Sequence, residues 1–241
     1  MIISTHTLSS LKGTRSEHCE ALVVAVLMAF VTAAYEVVSY LLVPDFTLNW
    51  FEVIGTWSGL VCVWLARTEN ILTWPWGIVS AASLGYFFSI IGLPGQQWLN
   101  WGYFLIIQLW AWPQWAFGGE RSSVLPVTTL TVRGRIYVMG AVVLMTLVVY
   151  VAIDYILPGS VWPVVDALVV VSSVVAQFLL GRKKVESWVL WLGPVNACSI
   201  ILFWAAGAYT VMALYIAFFI HAVWALRSWS GPVTKSTGYV S

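Results

Sequence analysis

The sequence predicts an all-α integral membrane protein of about eight transmembrane helices. Of its 241 residues, 61% are hydrophobic and only 9% are charged, whereas a soluble domain has about 25% charged residues. The apolar residues form runs long enough to cross the roughly 30 Å hydrocarbon core of a bilayer. The first run follows a polar segment, residues 1–20, without a small-residue cleavage motif. We therefore expect a retained first helix, not a cleaved signal peptide.

The breaks between the apolar runs give the order of the helices. Polar residues, proline and glycine separate the runs, and each run has the length of a spanning helix. A polar tail, residues 230–241, follows the last one. The predicted helices cover 21–43, 50–66, 71–92, 98–118, 134–157, 161–181, 187–205 and 207–229.

The basic residues support this count, because Lys and Arg collect in cytoplasmic loops. All 11 lie at the N-terminal segment, at the C-terminal end, or beside the loops that follow the second, fourth and sixth helices. The intervening loops 44–49 and 93–97 carry none. This alternation predicts eight spans with both termini in the cytoplasm.

Two groups of three predicted helices share residues at a fixed spacing, which indicates an internal duplication. An offset of about 115 aligns Trp76 with Trp191, and an offset of 114 aligns Trp115 with Trp229. The predicted plan is an extra N-terminal helix (21–43) and a 3+1+3 arrangement. In this plan a linker helix (134–157) separates two parallel repeats, residues 50–118 and 161–229.

Charge, cysteine content and motifs exclude several functions. A net charge of +1 argues against a nucleic-acid partner, which needs a clustered basic face. Three widely separated cysteines indicate neither a disulfide framework nor a zinc site. No HExxH, GxSxG or P-loop motif is present. We predict no metal, no cofactor and no enzymatic activity.

Acidic residues inside predicted helices are candidate pathway residues, because buried charge is costly in a membrane. Glu52 and Asp166 occupy corresponding positions early in each repeat, and Glu36 lies in the first helix. For the first two, a gating role and a structural role at the interface have about equal support.

A denser set of amides and aromatic residues lies in the later helices of each repeat. Asn100, Tyr103 and Gln108 share one helix face, and Asn196 is close along the chain to Trp191. Amides can pair with a carboxamide while indoles stack on a ring. The same amides also hydrogen-bond between membrane helices, and spacing alone slightly favours that second interpretation.

Tryptophans near predicted helix ends suit an interfacial aromatic belt. This prediction applies to Trp50, Trp98, Trp162 and Trp229.

Several stretches together resemble the Pnu family of bacterial vitamin transporters. The most specific is Arg182-Lys-Lys-Val-Glu-Ser-Trp188 with Trp191 and Asn196 after it, and the preceding 166–177 agrees. The first repeat is similar in residues 50–60 and 112–115. The resemblance covers about 50–118 and 160–229.

The resemblance implies a homotrimeric carrier in the bacterial inner membrane. It would take up nicotinamide riboside by facilitated diffusion for NAD salvage, with cytoplasmic phosphorylation trapping the vitamin. The two repeats would rock, hinged near Pro75, Pro113 and Pro194. Arg182 and Glu186 match a helix-end motif and would form a structural or gating pair. The ligand-contacting residues implied by position are Gln108, Gln114, Trp115, Gln177, Trp188, Trp191 and Asn196.

Three departures from the family pattern leave the cargo open. Ser80 stands where an Asn is expected, Gly193-Pro194 interrupts the seventh helix, and Trp224 replaces a small or polar residue. The first alternative is the same fold carrying another vitamin, thiamine above all. An alternative of another class is a membrane-embedded enzyme or structural subunit.

Overall fold

The computed structural model describes residues 13–42, 47–90, 97–120, 123–156, 162–205 and 209–231. Residues 1–12 of the predicted N-terminal segment (1–20) and residues 232–241 of the predicted tail (230–241) lie outside the described residues. Within those ranges the chain forms eight helices, which we number α1 to α8. They are α1 Arg15–Leu42, α2 Trp50–Arg67, α3 Thr73–Ile90, α4 Leu99–Phe104 continuing as Leu105–Phe117, α5 Val132–Ile156, α6 Pro163–Gly181, α7 Glu186–Leu190 continuing as Trp191–Ala197 and Cys198–Ala205, and α8 Tyr209–Ser230.

The chain divides into two compact units, Met1–Leu125 and Pro126–Ser241. Unit 1 contains α1 to α4 and unit 2 contains α5 to α8. Within unit 1, α1 packs against α2, and within unit 2, α5 packs against α6. The first helix of each unit therefore packs on the helix that follows it.

Helix α1 begins at Arg15, earlier than the apolar run that predicted its start at residue 21. The cause is a capping box, in which side chains satisfy backbone N–H groups that the first turn leaves unpaired. The Thr14 N–H donates to Glu17 Oε2 at 2.7 Å, and the Glu17 N–H donates to Thr14 Oγ1 at 3.2 Å. Hydropathy does not detect a polar first turn of this kind.

Small residues bring α2 and α3 close together, as in many membrane helix pairs. The Ser80 hydroxyl donates to the Gly55 carbonyl at 2.7 Å, and a Cβ on Gly55 would meet Leu84 Cγ at 2.6 Å. On the other side of α2, the Trp57 indole N–H donates to the Ala25 carbonyl of α1 at 2.8 Å. These contacts tie α2 to both of its neighbours in unit 1.

Two helices contain π-helical turns, which are rare and often occur at functional sites. Helix α4 opens with one at Leu99–Phe104, and α7 carries one at Trp191–Ala197 that includes Pro194. Proline lacks an N–H and clashes with the preceding turn of an α-helix. A wider turn accommodates it, so α7 continues through the predicted interruption at Gly193-Pro194.

The outer surface is apolar, as expected for a protein surrounded by lipid. Three described helices are long and apolar enough to cross a membrane, within Arg15–Leu42, Val132–Val151 and Pro163–Gly181. Large apolar side chains such as Phe30 and Leu42 on α1 and Tyr137 on α5 are more than two-thirds exposed. Such surfaces have no favourable contact with water, and they agree with the predicted membrane location.

The turns α2–α3 and α6–α7 have the same backbone conformation. Glu69 (φ 59°) and Lys183 (φ 47°) are the non-glycine residues with positive φ among those described. In each turn the next N–H donates back into the helix: Asn70 to the Leu65 carbonyl at 3.1 Å and Lys184 to Leu179 at 2.9 Å. Every member of one turn is 114 residues from its counterpart in the other, which supports the predicted duplication.

Candidate functional site

In unit 2, the π-helical turn of α7 places Asn196 in the interior. The residue is 3% exposed, and its side chain makes no hydrogen bond to another described residue. An amide that is buried without a partner costs free energy, because it gives up its hydrogen bonds to water. Asn196 is therefore one candidate for a group that a ligand satisfies, and the same helix also holds Trp188 Nε1 and Ser187 Oγ, which are buried without a partner among the described residues.

Two tryptophans of α7 precede Asn196 and differ in burial. Trp188 is buried, and its ring makes edge contacts with Trp229, at a centroid distance of 5.6 Å, and with His221, at 6.0 Å. Trp191 is only partly buried and packs against Ala176, Leu179 and Leu190. Of the two predicted stacking residues, Trp191 has the more accessible ring.

Gln177, on α6, is the second predicted contact of unit 2 that carries an amide. It is buried at 8% exposure, and its carboxamide makes no hydrogen bond within the described part of the chain. Helix α6 packs against the π-helical turn that carries Asn196. Unit 2 thus holds two buried amides, on neighbouring helices, with unused hydrogen-bonding capacity.

In unit 1, Gln108 reaches from α4 across to α2 and α3. Its amide lies directly over Gly77, where an added Cβ would overlap Cδ, Oε1 and Nε2. The Cys62 thiol donates to Gln108 Oε1 at 4.0 Å, and the Thr73 hydroxyl donates to the Cys62 carbonyl at 2.8 Å. Three helices therefore position this buried side chain.

The other predicted contacts of unit 1, Gln114 and Trp115, separate onto different faces of α4. Gln114 is half-buried. Trp115 is fully buried, and its ring meets Trp74 edge-on at 4.9 Å. Trp115 and Trp74 lie 114 residues before Trp229 and Trp188, which make the same kind of contact in unit 2. The pair in unit 1 is thus part of the core.

Glu52 and Asp166 lie in the first turns of α2 and α6. An acidic side chain is favourable there, because the unpaired N–H groups at a helix N-terminus carry partial positive charge. Both residues are partly exposed. This placement supports the structural interpretation of the two acids and gives no separate support for gating.

The predicted pair of Arg182 and Glu186 is not formed. Glu186 instead accepts from Arg135 Nε of α5 at 2.9 Å and from the Leu130 N–H at 3.0 Å. Arg182 caps α6 with its backbone and is exposed. The Glu186 carboxylate is thus already engaged by α5 and by the segment before α5.

Three further expectations from the sequence meet the structure at single residues. The Ser80 hydroxyl is occupied by the Gly55 carbonyl, so the residue joins two helices. Trp224 is 49% exposed on α8 and faces outward. Trp229, predicted as a belt residue, is buried against Trp188, because the last turn of α8 packs on α7. The belt residues Trp50, Trp98 and Trp162 are exposed.

Sequence reasoning missed Cys62, Thr73 and Gly77, which surround Gln108. Cys62 belongs to no motif in the sequence, and its contact with Gln108 joins residues 46 positions apart. Only Gly77 gave a signal, because a glycine within an apolar helix often marks the close approach of another group.

Comparison with known proteins agrees with this description. The profile of the nicotinamide mononucleotide transporter family matches residues 49–231. The nicotinamide riboside transporter PnuC of Escherichia coli (strain K12) is 25% identical over 214 residues, covering 76% of this chain and 86% of that protein. The riboflavin/roseoflavin transporter RibM of Streptomyces davaonensis is 26% identical over 191 residues, covering 77% and 86%.

A solved structure has the same fold. The crystal structure of the vitamin B3 transporter PnuC aligns with a TM-score of 0.62 at 24% sequence identity, covering 94% of this chain and 96% of that one.

Proposed function

We propose, for a chain that belongs to the nicotinamide mononucleotide transporter family, that it carries nicotinamide riboside across a membrane. Relatives named as nicotinamide riboside transporters cover more than three-quarters of the chain. A family of transporters also favours a carrier over the alternatives of an enzyme or a structural subunit. The structural observation that carries the proposal is the unpaired amide of Asn196, buried in a π-helical turn that also holds Trp191.

The chemistry of this turn suits the vitamin. Nicotinamide riboside has a flat pyridinium ring, a carboxamide and a ribose. An indole can stack on a cationic ring, and an Asn amide can donate to and accept from a carboxamide. We assign the stacking role to Trp191, because Trp188 is buried against other rings. Gln177 and, in unit 1, Gln108 and Gln114 are proposed as further polar contacts.

Transport would proceed by facilitated diffusion, with cytoplasmic phosphorylation trapping the vitamin for NAD salvage. The family resemblance supports this view, and so does the absence from the sequence of a P-loop for ATP. Pro113 lies inside α4 and Pro194 inside the π-helical turn of α7, and interrupted helices are common where transporters bind and move their cargo.

The arrangement in the membrane is proposed from the charge pattern. We propose eight spans with both termini in the cytoplasm of a bacterial cell, whose inner membrane holds the protein as a homotrimer. Helices α2–α4 and α6–α8 would be the two repeats, with α5 as the linker. Native mass spectrometry of the detergent-solubilised protein tests the trimer directly.

Riboflavin is the second candidate, because one relative is a riboflavin/roseoflavin transporter. Its three-ring system is larger than pyridinium and uncharged, so a partly exposed Trp191 could stack on it too. Thiamine remains the alternative predicted from the sequence, and its positive charge would favour an aromatic cage.

Calorimetric titration of the purified protein separates the three vitamins. Micromolar or tighter binding of nicotinamide riboside, with weaker or undetectable binding of riboflavin and thiamine, supports the proposal. Binding of riboflavin or thiamine alone would keep the family and overturn the cargo. Uptake of the labelled vitamin into liposomes without ATP then tests facilitated diffusion, and a requirement for ATP would contradict it.

A further inference from the structure

Gln108 is held in one orientation by groups from two other helices. The residue is 6% exposed, and its carboxamide occupies the space that a Cβ on Gly77 of α3 would fill. On α2, the Cys62 thiol donates to Oε1 at 4.0 Å. The long distance makes this a weak bond, but it is the one polar contact to the Gln108 side chain among the described residues.

Cys62 is itself fixed by Thr73, the first residue of α3. The Thr73 hydroxyl donates to the Cys62 carbonyl at 2.8 Å and lies 3.4 Å from the thiol sulfur. The chain of contacts from Thr73 through Cys62 places the thiol, a weak donor, beside Gln108 Oε1. Nε2 then remains as a donor without a partner within the described chain.

Gly77 is the residue that makes this orientation possible. Any side chain there would occupy the position of the amide and force Gln108 to another rotamer. Because the atoms that must move are the end of a flexible side chain, the helix packing itself can survive the substitution. A Gly77→Ala variant therefore tests the orientation of Gln108 with little effect on the fold.

We propose that Gly77 and Cys62 are positioning residues, which hold Gln108 so that its Nε2 donates to an acceptor oxygen of the transported vitamin. The inference rests on the proposed function, in which Gln108 contacts the substrate. An aliphatic or aromatic group of the cargo cannot accept a hydrogen bond from Nε2. The arrangement therefore selects cargo that carries an oxygen acceptor beside its ring.

The test is a double-mutant cycle read by calorimetric titration with nicotinamide riboside. Gly77→Ala should weaken binding about tenfold, the equivalent of one well-placed hydrogen bond. Gln108→Ala should weaken it by at least as much. In the Gln108→Ala background, adding Gly77→Ala should change nothing further, because the two substitutions remove the same interaction. Additive losses, or unchanged binding in Gly77→Ala, would overturn the proposal.

Two matched glycine variants separate positioning from general damage. Gly85→Ala, also on α3, makes an equally severe overlap, but with the Trp101 ring, so it should leave binding closer to the wild type than Gly77→Ala does. Gly140→Ala on α5 meets nothing within 4 Å and should behave as wild type. An equal loss in Gly85→Ala would show that movement of α3 alone explains the effect.

The cycle also distinguishes this inference from the proposed function. A wild-type protein that does not bind nicotinamide riboside overturns the cargo. A wild-type protein that binds it, while Gly77→Ala binds equally well, overturns only the positioning role.

Discussion

Two buried amides, those of Asn196 and Gln108, are the residues that point most directly to a ligand site. Asn196 and Gln108 are both buried, yet neither has a full set of hydrogen bonds within the described chain. Folding rarely leaves such groups unsatisfied unless something else pairs with them. Each amide is also held by an unusual local feature, a π-helical turn around Asn196 and a glycine beneath Gln108. These features make ligand recognition the better explanation of the two amides.

Removing the Asn196 amide should weaken binding without unfolding the protein. Asn196→Ala deletes a hydrogen bond to the ligand, and we expect nicotinamide riboside affinity to fall by about 1–3 kcal/mol, measured by calorimetric titration. Trp224→Ala is the control, because that ring is 49% exposed on α8 and should leave affinity unchanged. Equal affinity in Asn196→Ala and the wild type would remove Asn196 from the site.

Substitutions of the two tryptophans of α7 should have different effects, one on stability and the other on ligand binding. Trp188→Ala opens a cavity beside Trp229 and His221, which should lower the free energy of unfolding by about 3–5 kcal/mol. Trp191→Leu keeps an apolar side chain but removes the stacking ring. We therefore expect it to lose most ligand-induced quenching of tryptophan fluorescence, with a smaller shift in Tm. Full quenching in Trp191→Leu would return the stacking role to Trp188.

The limits of sequence reasoning are visible at these residues. The sequence alone proposes Asn196 and Trp191 as site residues, because they are close along the chain and belong to a family pattern. The contacts of Gln108 could not be predicted, because Cys62 and Gly77 come from other helices. Burial was equally hidden, since Trp115 and Trp229 look like interfacial or ligand-stacking residues until the contacts with Trp74 and Trp188 are known.

At the scale of whole elements, hydropathy placed all eight helices but not their ends or their internal turns. The N-terminus of α1 depends on the capping box of Thr14 and Glu17, which are polar. The π-helical turns depend on backbone pairing, which leaves no hydropathy signal. Pro194 marked one of them, because a proline inside a helix needs an accommodation.

The start of α7 gives a prediction about Glu186. Its carboxylate pairs with the Leu130 N–H and with Arg135, so Glu186→Ala leaves a backbone donor unpaired and should cost about 1–3 kcal/mol of stability. The Arg135 side chain is 54% exposed, and Arg135→Ala should cost at most about 1 kcal/mol.

Arg182→Ala is the matched control for this series, because Arg182 was the partner expected from the sequence. Thermal unfolding in detergent should place it at the wild-type Tm, above Glu186→Ala. If Arg182→Ala lowers Tm as much as Glu186→Ala does, Arg182 and Glu186 form the pair expected from the sequence, and the contacts of Glu186 seen in the structure do not explain its role.

At the scale of the molecule, several features of unit 1 recur in unit 2 at an offset of 114. Glu69 and Lys183 share a positive φ, and the buried tryptophan pairs recur at the same spacing. The offset of about 115 that aligned Trp76 with Trp191 is one residue out of register. At 114, Trp76 corresponds to Leu190, and each packs on the core of its own unit.

The duplication also bears on how many times the chain crosses the membrane. Helices α1 and α5 begin beside equivalent turns, since the Ile71 N–H donates to Glu17 at 3.2 Å and the Val185 N–H donates to Thr128 at 3.0 Å. Ile71 and Val185 are again 114 residues apart. If both turns lie on one side of the membrane, as their basic residues indicate, unit 1 must cross it an even number of times.

Reporter fusions should therefore show eight crossings with both termini in the cytoplasm. A green fluorescent protein fused to the C-terminus should fluoresce, because it folds in the cytoplasm. Alkaline phosphatase, which is active only outside it, should be active when fused after Leu48 or Gln97 and inactive after Glu69 or Glu120. Helix α2 has 18 residues, about 27 Å at 1.5 Å per residue, which is enough for one crossing. Phosphatase activity after Glu120 would give unit 1 an odd number of crossings and contradict the eight-span topology.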